Sequence, residues 1–354
     1  MTTEVMPILT VDALDPIADS EWAEFLSRCP GTEVFHHPLW LALLRDQYGY
    51  EVSSCVVRGE RGEIEAGIPV ALIASRLTGR RLVAVPFSDT CSPLLAANAT
   101  TGVGEALSRA LVAEAERMGL GLAVHAPLPG VAPEAIMTRF VRHELALGPD
   151  LAAIEAGFSK SRVKRNVKKA RREGLTVEFS REVDAIDEFY ALHLLTRRKL
   201  GVPTQPKQFI RRFERLFDAG LGYVATVRDD GAPIAAGVFL CCNGTLTYKY
   251  GASNPKALAK RPNNLLHAEA IRWGCEQGYE RYDMGRTDLD NEGLRTFKSN
   301  WGAEELPLSY TYLRMPAPDE EGGRKEQWSA AVIKHSPVLV GRLAGELLYR
   351  HYGA

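Results

Sequence analysis

Between Lys160 and Arg172 the sequence places eight lysines and arginines and no acid, in a chain whose formal net charge is only -1. A cluster that dense on a balanced background suits phosphates gathered at one site better than the coating of a duplex. Val163, Val167 and Ala170 recur at i, i+4 and i+7, so the run reads as a helix with a thin apolar stripe and a positive remainder. Ser159 or Ser161 can cap its start and Gly174 can end it. Cations in a first helical turn oppose the macrodipole by roughly 0.3 to 1 kcal/mol each. Lys160 and Arg162 are therefore poorly placed for helix stability and well placed for an anionic partner. A solvated basic face is the bland alternative. The candidate phosphate ligands are Lys164, Arg165, Lys168 and Lys169 on this helix, the pair Arg197-Arg198, and Arg286. Arginine offers bidentate contact and lysine a more diffuse charge.

Other chemistries find no support. The six cysteines form no CxxC pair, and Cys241-Cys242 are adjacent, which suits neither a disulfide framework nor a zinc site. The eight histidines show no metal-ligand spacing, and His36-His37, His125 and His267 read as structural. No Ser-His-Asp order and no activated thiolate can be argued. The N-terminal segment has no basic stretch followed by an apolar core, so no signal peptide is expected. No run reaches the roughly 18 apolar residues of a membrane span. A cytoplasmic protein is expected, placed at the inner face of the membrane if its last helix lies on lipid.

The elements that must position these residues fall into two similar series. At 354 residues, 45% of them hydrophobic, the chain has room for two domains. The first half reads as short helices at 20–28 and 38–47, strands at 52–57, 64–74 and 81–85, an irregular loop at 86–93, a helix at 102–118, and strands at 120–125 and 137–146. After the basic helix come a strand at 175–179, helices at 185–200 and 207–219, and a three-strand meander. The meander's turns, Asp230-Gly231 and Asn243-Gly244, are strong hairpin signals. A helix at 264–277, a strand at 279–284, a short helix at 291–298 and a last strand at 308–313 complete the series. The pattern gives an N-terminal domain over 1–155 and a C-terminal domain over 156–315 that opens with the basic junction helix 159–173. A linker and C-terminal helix occupy 316–354. That helix, broken at Pro337 and lined by Leu339, Leu343 and Leu347, is expected to pack on the body, with peripheral membrane contact as its alternative role.

The second half has the element order of the GNAT acyltransferase fold, and its sequence resembles the FemABX branch, aminoacyl transferases that extend the peptide of cell-wall precursors. The resemblance is carried by the Ser159-to-Gly174 run, Phe189-Tyr190 with Thr196-Arg-Arg198, and Tyr248-Lys-Tyr-Gly-Ala-Ser253. It continues through Pro262-Asn-Asn-Leu-Leu266, Tyr282-Asp-Met-Gly285 and Phe297-Lys-Ser-Asn-Trp-Gly302. Phe35-His-His-Pro-Leu-Trp40 and the Pro86-Phe-Ser-Asp89 loop are similar to the family's first half. The fold class implied is α/β, with mixed sheets in two tandem GNAT-like domains. The chain lacks the long helical arm of members that use aminoacyl-tRNA, and it is most similar to a bacterial FemAB-related subgroup associated with exopolysaccharide and protein-sorting gene sets.

The resemblance implies a site. Lys298 lies at the family's reaction centre, where a cation can stabilise the oxyanion formed when an amine attacks an ester. A surface lysine ending a helix is the alternative. In the GNAT order Tyr250 and Asp283 end adjacent strands, so Tyr250 can relay or donate a proton and Asp283 can position the amine or act as base. A partnered buried tyrosine and a turn-capping aspartate are the plainer readings. Asn264 and Trp301, inside the shared motifs, join the expected substrate-binding set. Many CoA-using GNAT proteins hold pyrophosphate on glycine amides at the start of the helix after the meander. Here that position reads Lys260-Arg-Pro-Asn-Asn-Leu265, with no glycine and a proline that removes one amide, though Lys260, Arg261 and the helix start can still hold an anion.

The expected function is acyl or aminoacyl transfer to the amine of a phosphate-bearing envelope precursor, in peptidoglycan or exopolysaccharide synthesis. The donor would be aminoacyl-tRNA or acyl-CoA, with no tightly bound cofactor, no metal and no DNA partner. The alternatives are an acetyl-CoA-dependent N-acyltransferase and, from another class, a non-catalytic module that binds RNA or anionic membrane.

Overall fold

The computed structural model describes residues 10–315, 331 and 333–352. Of these, 10–139, 308–315 and 350–352 form one compact unit, and 140–307, 331 and 333–349 form another. The division falls inside a strand, at Arg139/Phe140, whereas the sequence put the boundary near 155. The cause is pairing: residues 140–146 hydrogen-bond with 281–288 and stay with the second half. The linker expected over 316–323 and a helix start at Trp328 lie outside the described residues.

The first unit contains β1 (Thr10–Leu14), α1 (Ser20–Ser27), α2 (Pro38–Tyr48), β2 (Glu51–Arg58), β3 (Ile64–Ser75) and β4 (Gly79–Ala84). The two-residue β5 (Leu94–Leu95), α3 (Val103–Arg117), β6 (Gly121–Val124) and the start of β7 (Ile136–Ala146) follow. Asp19 caps α1 by accepting the Glu21 amide, and Pro38 opens α2 at its first turn. The strands run β1-β2-β3-β4-β6 and are antiparallel except for β4 and β6, which are parallel with Arg81–Ala84 opposite Gly121–Val124. Trp22, Phe25, Val56 and Ile64 form part of its core. β1 escaped the sequence reading because four of its five residues are exposed and show no alternation.

The second unit continues with α4 (Leu151–Ala156), a π turn at Lys160–Lys164, α5 (Arg165–Arg172), β8 (Thr176–Ser180), α6 (Val183–Leu200), α7 (Lys207–Arg211) and α8 (Glu214–Asp218). Then come β9 (Gly222–Asp229), β10 (Ala232–Cys242), β11 (Thr245–Ser253), α9 (Pro262–Glu276), β12 (Arg281–Asp288), α10 (Glu292–Ser299), the start of β13 (Glu304–Leu313), whose later residues pair with β6 of the first unit, and most of α11 (Val338–Tyr352), whose last turn belongs to the first unit. The sheet runs β7-β12-β11-β10-β9-β8, and only β11 with β12 is parallel. Both expected hairpins are present, with Asp230-Gly231 and Asn243-Gly244 all at positive φ. The single helix expected at 207–219 is two, because the Phe213 amide bonds Ile210 O in a tighter turn. Phe209, Ile210, Phe213, Leu216 and Phe217 are all buried across that break, so the apolar spacing hides it. The basic segment docks as its stripe requires, with Val163, Val167 and Ala170 buried and Arg165, Lys168 and Arg172 exposed.

Candidate functional site

β11 and β12 pair only at Thr245–Thr247 with Arg281–Asp283. Beyond that point β11 continues to Ser253 against β10, and β12 to Asp288 against β7, so the parallel pair opens into a fork. Each arm carries a bulge. Val238 opposes Tyr250 while Phe239 opposes Tyr248, which leaves Lys249 extra; Asp283 opposes Glu144 and Arg286 opposes Arg142, which leaves two residues against one. Bulges re-aim side chains. Paired residues share a face, so Tyr248 and Tyr282 lie on the side of α9, and the extra residue turns Tyr250 to the other side, together with Thr247 and Asp283.

On the α9 side an aromatic track forms. Phe297 of α10 lies 5.4 Å from the His267 ring, and His267 lies 4.6 Å from Tyr248. His267 Nδ1 is 2.6 Å from the Tyr282 hydroxyl. Burial, with the Lys298 charge adding to it, pushes the His267 pKa down to about 3, and burial raises that of Tyr282. The pair is therefore a neutral contact at neutral pH.

A cavity of about 600 Å³ opens beside Phe297. The junction helix contributes Arg162 and Asn166, the start of α9 contributes Arg261, Asn263 and Asn264, and α10 contributes Glu292, Thr296 and Asn300. Arg261 sits at φ 65° in the left-handed region, and no side chain caps the α9 amides. The π turn accounts for the position of Arg162: Ser159 O accepts from both Val163 N and Lys164 N, at 3.0 and 3.1 Å. Two cations, four carboxamides and an uncapped helix start are suited to an anion with a polar body, with Glu292 as the one acid.

The structure places the sequence-chosen residues in several settings. Asn264 lines the cavity. Lys298 is buried, and its Nζ donates to Gly285 O at 2.6 Å, two residues past the last paired position of β12. Asp283 accepts the Gly285 amide at 2.8 Å and Arg142 Nη2 at 3.0 Å. Tyr250 lies 5.8 Å from the His193 ring and 6.1 Å from Phe213. Lys164 and Lys169 are half-buried beside the exposed Arg165 and Lys168.

Three of the sequence-chosen positions have partners away from the cavity. Trp301 is fully buried with its ring 5.1 Å from Phe158, so it serves the core. Arg197 donates to Pro203 O and to the Tyr349 hydroxyl, and neither it nor the half-buried Arg198 lines the cavity. Arg286 stacks on Phe140 at 4.3 Å. Lys260, a second-rank candidate, pairs with Asp229 at 2.6 Å. Arg162 was legible as a first-turn cation suited to an anionic partner, while Asn166, Asn263, Thr296 and Asn300 gave no signal that separates them from ordinary surface. Among the described residues no group of three His, Cys, Asp or Glu is placed to hold a metal, and burial pushes the Cys29 and Cys241 thiols up to about 11.

Residues 158–299 match the family described as acetyltransferase (GNAT) domain. A UDP-N-acetylmuramoylpentapeptide-lysine N(6)-alanyltransferase of Weissella viridescens is 22% identical over 152 residues, which are 42% of this chain and 45% of that protein. The chain thus spans less than half the length of the curated relative it matches. The crystal structure of FemX superposes with a TM-score of 0.65 at 14% identity, over 89% of this chain and 100% of that one. A tandem GNAT protein from the clavulanic acid biosynthesis pathway gives 0.52 at 14% identity, over 88% and 100%. The fold is that of tandem GNAT-like proteins, and the fold likeness to FemX extends over 89% of the chain.

Proposed function

We propose that the chain is an acyltransferase of the FemAB type, which moves an aminoacyl or acyl group onto the amine of a phosphate-bearing cell-envelope precursor. The observation that carries this reading is the fork of β11 and β12, with the anion-suited cavity on one face and Asp283 and Tyr250 on the other. The donor's phosphates sit against Arg162, Arg261 and the start of α9, and its ester carbonyl reaches the fork along the Phe297, His267 and Tyr248 track. The amine arrives from the opposite face, where Asp283 holds it and the Tyr250 hydroxyl relays its proton. Its nitrogen attacks the carbonyl carbon, the ester bond breaks, and the proton lost by the amine ends on the departing oxygen. The products are an amide and a free hydroxyl. The Lys298 ammonium, beside the open end of β12, stabilises the oxyanion of the intermediate. Ester aminolysis needs little activation, so positioning supplies much of the effect.

The donor is aminoacyl-tRNA in this reading. Pro262 and the missing glycines weaken a CoA pyrophosphate cradle, and the exposed Arg165, Lys168 and Arg172 extend the positive surface beyond the cavity for a longer polyanion. An acetyl-CoA-dependent reaction is the second reading, favoured by the GNAT match over 158–299. The soluble chain would work in the cytoplasm, where both donors are found.

A donor screen tests the proposal. The chain is incubated with labelled aminoacyl-tRNA or with acetyl-CoA, together with a pool of wall and exopolysaccharide precursors, and products are read by mass spectrometry. Amide formed from charged tRNA, with the donor KM raised about tenfold in Arg162→Ala or Arg261→Ala, is the expected result. Product from acetyl-CoA alone selects the second reading. No product from either donor, with retained RNA binding, leaves a binding module.

A further inference from the structure

We propose that α11 is an interfacial helix whose outer face lies on an anionic bilayer surface. The helix docks on the second unit by its glycines. Thr204 N donates to Gly341 O at 3.1 Å, a Cβ at Gly345 would run into the Thr204 carbonyl, and the Tyr349 hydroxyl accepts from Arg197 at 2.9 Å. At about 100° per residue, Leu339, Leu343 and Leu347 centre on the side opposite Gly341 and Gly345. They are 57%, 53% and 69% exposed, with Val340 at 38%. Leu200, at 55%, ends α6 just before the loop that receives the glycines. Single exposed leucines are ordinary, but a continuous arc of them on one helix asks for a partner.

Charge selects the occupant. Exposed Lys334 precedes the helix, Arg342 and Arg350 lie along it, and exposed Lys199 adjoins Leu200. The one acid, Glu346, accepts the Lys207 amide at 3.1 Å. An exposed apolar arc with Arg342 at its edge, Arg350 at its C-terminal end and its one acid engaged by the Lys207 amide is the composition of a helix in the headgroup region of an anionic leaflet. A second copy of this chain fits less well. Three leucines spread over roughly 12 Å of helix supply little of the roughly 800 Å² that each partner contributes to a stable interface.

The test is flotation of the full chain with vesicles of phosphatidylcholine alone and of phosphatidylcholine mixed with phosphatidylglycerol. Flotation with the mixed vesicles only is expected. It should fall by tenfold or more in a Leu339→Gln, Leu343→Gln, Leu347→Gln variant, since burial of even one leucine is worth about a factor of ten. The substituted side chains are exposed, so the melting temperature should hold. Equal flotation of wild type and variant, or none by the wild type, overturns the proposal. So does a dimer in solution that the variant splits, which would give the face to a second copy. Turnover of a nucleotide-linked acceptor without vesicles, measured in parallel, separates this from the transfer reading: loss of turnover in both proteins counts against transfer and leaves the flotation result standing.

Discussion

The two units each contain one parallel strand pair, and the pairs differ in how far they are zipped. In the first unit every residue of β6 is in register with β4, Arg81–Ala84 against Gly121–Val124. The chain leaves β4 through a strained loop, with Val85 at φ 52° and Phe87 at φ 62°. That loop is held by Ser88 Oγ, which donates to Val85 O at 2.7 Å and lies 2.8 Å from His125 Nδ1. In the second unit β11 and β12 separate after three residues, and a bulge in each arm keeps them apart. Backbone groups released by such a fork need other partners, and Lys298 supplies one for Gly285 O. One element order thus gives a closed pair and an open pair, and the candidate chemistry gathers at the open one.

The strongest test of that contrast is Lys298→Met, which keeps the length of the side chain and removes its charge from the open arm. Turnover should fall about 10² to 10³-fold, the loss of one oxyanion donor, with the donor KM little changed. A fall in donor affinity alone would return Lys298 to a purely structural role at the bulge.

Acid should distinguish the units next. Burial depresses His193 to about 4 and His267 to about 3 in the second unit, and His36 to about 4 in the first. Each of these folded-state values lies below the ordinary 6.5, so the unfolded chain binds the proton first as pH falls. The stability is complete above about 6.5 and is lost from there down to about 4 for His36 and His193 and to about 3 for His267, at roughly 1.4 kcal/mol per pH unit for each imidazole. Burial also lowers His37 in the first unit and His143 in the second, so hydrogen exchange between pH 7 and 5 should show protection falling more steeply in the second unit, which holds three such imidazoles against two. Equal slopes would mean that other groups dominate.

Much of this was legible beforehand, for identifiable reasons. The spacing of Val163, Val167 and Ala170 fixed how the basic segment docks, and Asp230-Gly231 and Asn243-Gly244 fixed the meander, because these signals are local. The fork was not legible from residues alone, since a bulge at Lys249 exists only relative to the register of β10. The cavity draws on segments near 162, 262 and 296, whose meeting is a property of packing. The burial of Trp301 was not legible because an aromatic in a shared motif can serve the core as well as a ligand, nor were the partners of Arg197, because nothing local announces that Pro203 and Tyr349 will take its donors.

A smaller effect should come from the arm itself. Gly251 leaves room for the Tyr248 ring to fold over it, and a Cβ there would fall on the tyrosyl oxygen. Gly251→Ala should cost about 1 to 3 kcal/mol, as overpacking does, read by urea denaturation. Adding Tyr248→Phe removes the obstructing hydroxyl and should recover part of the loss, a coupling expected of residues in contact. Strict additivity of the two changes would show that Tyr248 is not what Gly251 accommodates.

The smallest effect is expected at the closed pair. Ser88→Ala removes a hydroxyl that ties Val85 O and His125 together in a loop with two non-glycine residues in the left-handed region. Such strain persists only where the surroundings hold it, and Tyr310, whose hydroxyl donates to Asp89 O at 2.5 Å, remains to do so. The loss should be about 1 kcal/mol, that of one hydrogen bond, seen as a drop of a few degrees in melting temperature. The donor KM should not move, because the donor's phosphates are assigned to the second unit. A shift in donor KM comparable to that of Arg261→Ala would show that the closed pair also serves the donor, and the division of labour between the two strand pairs would have to be redrawn.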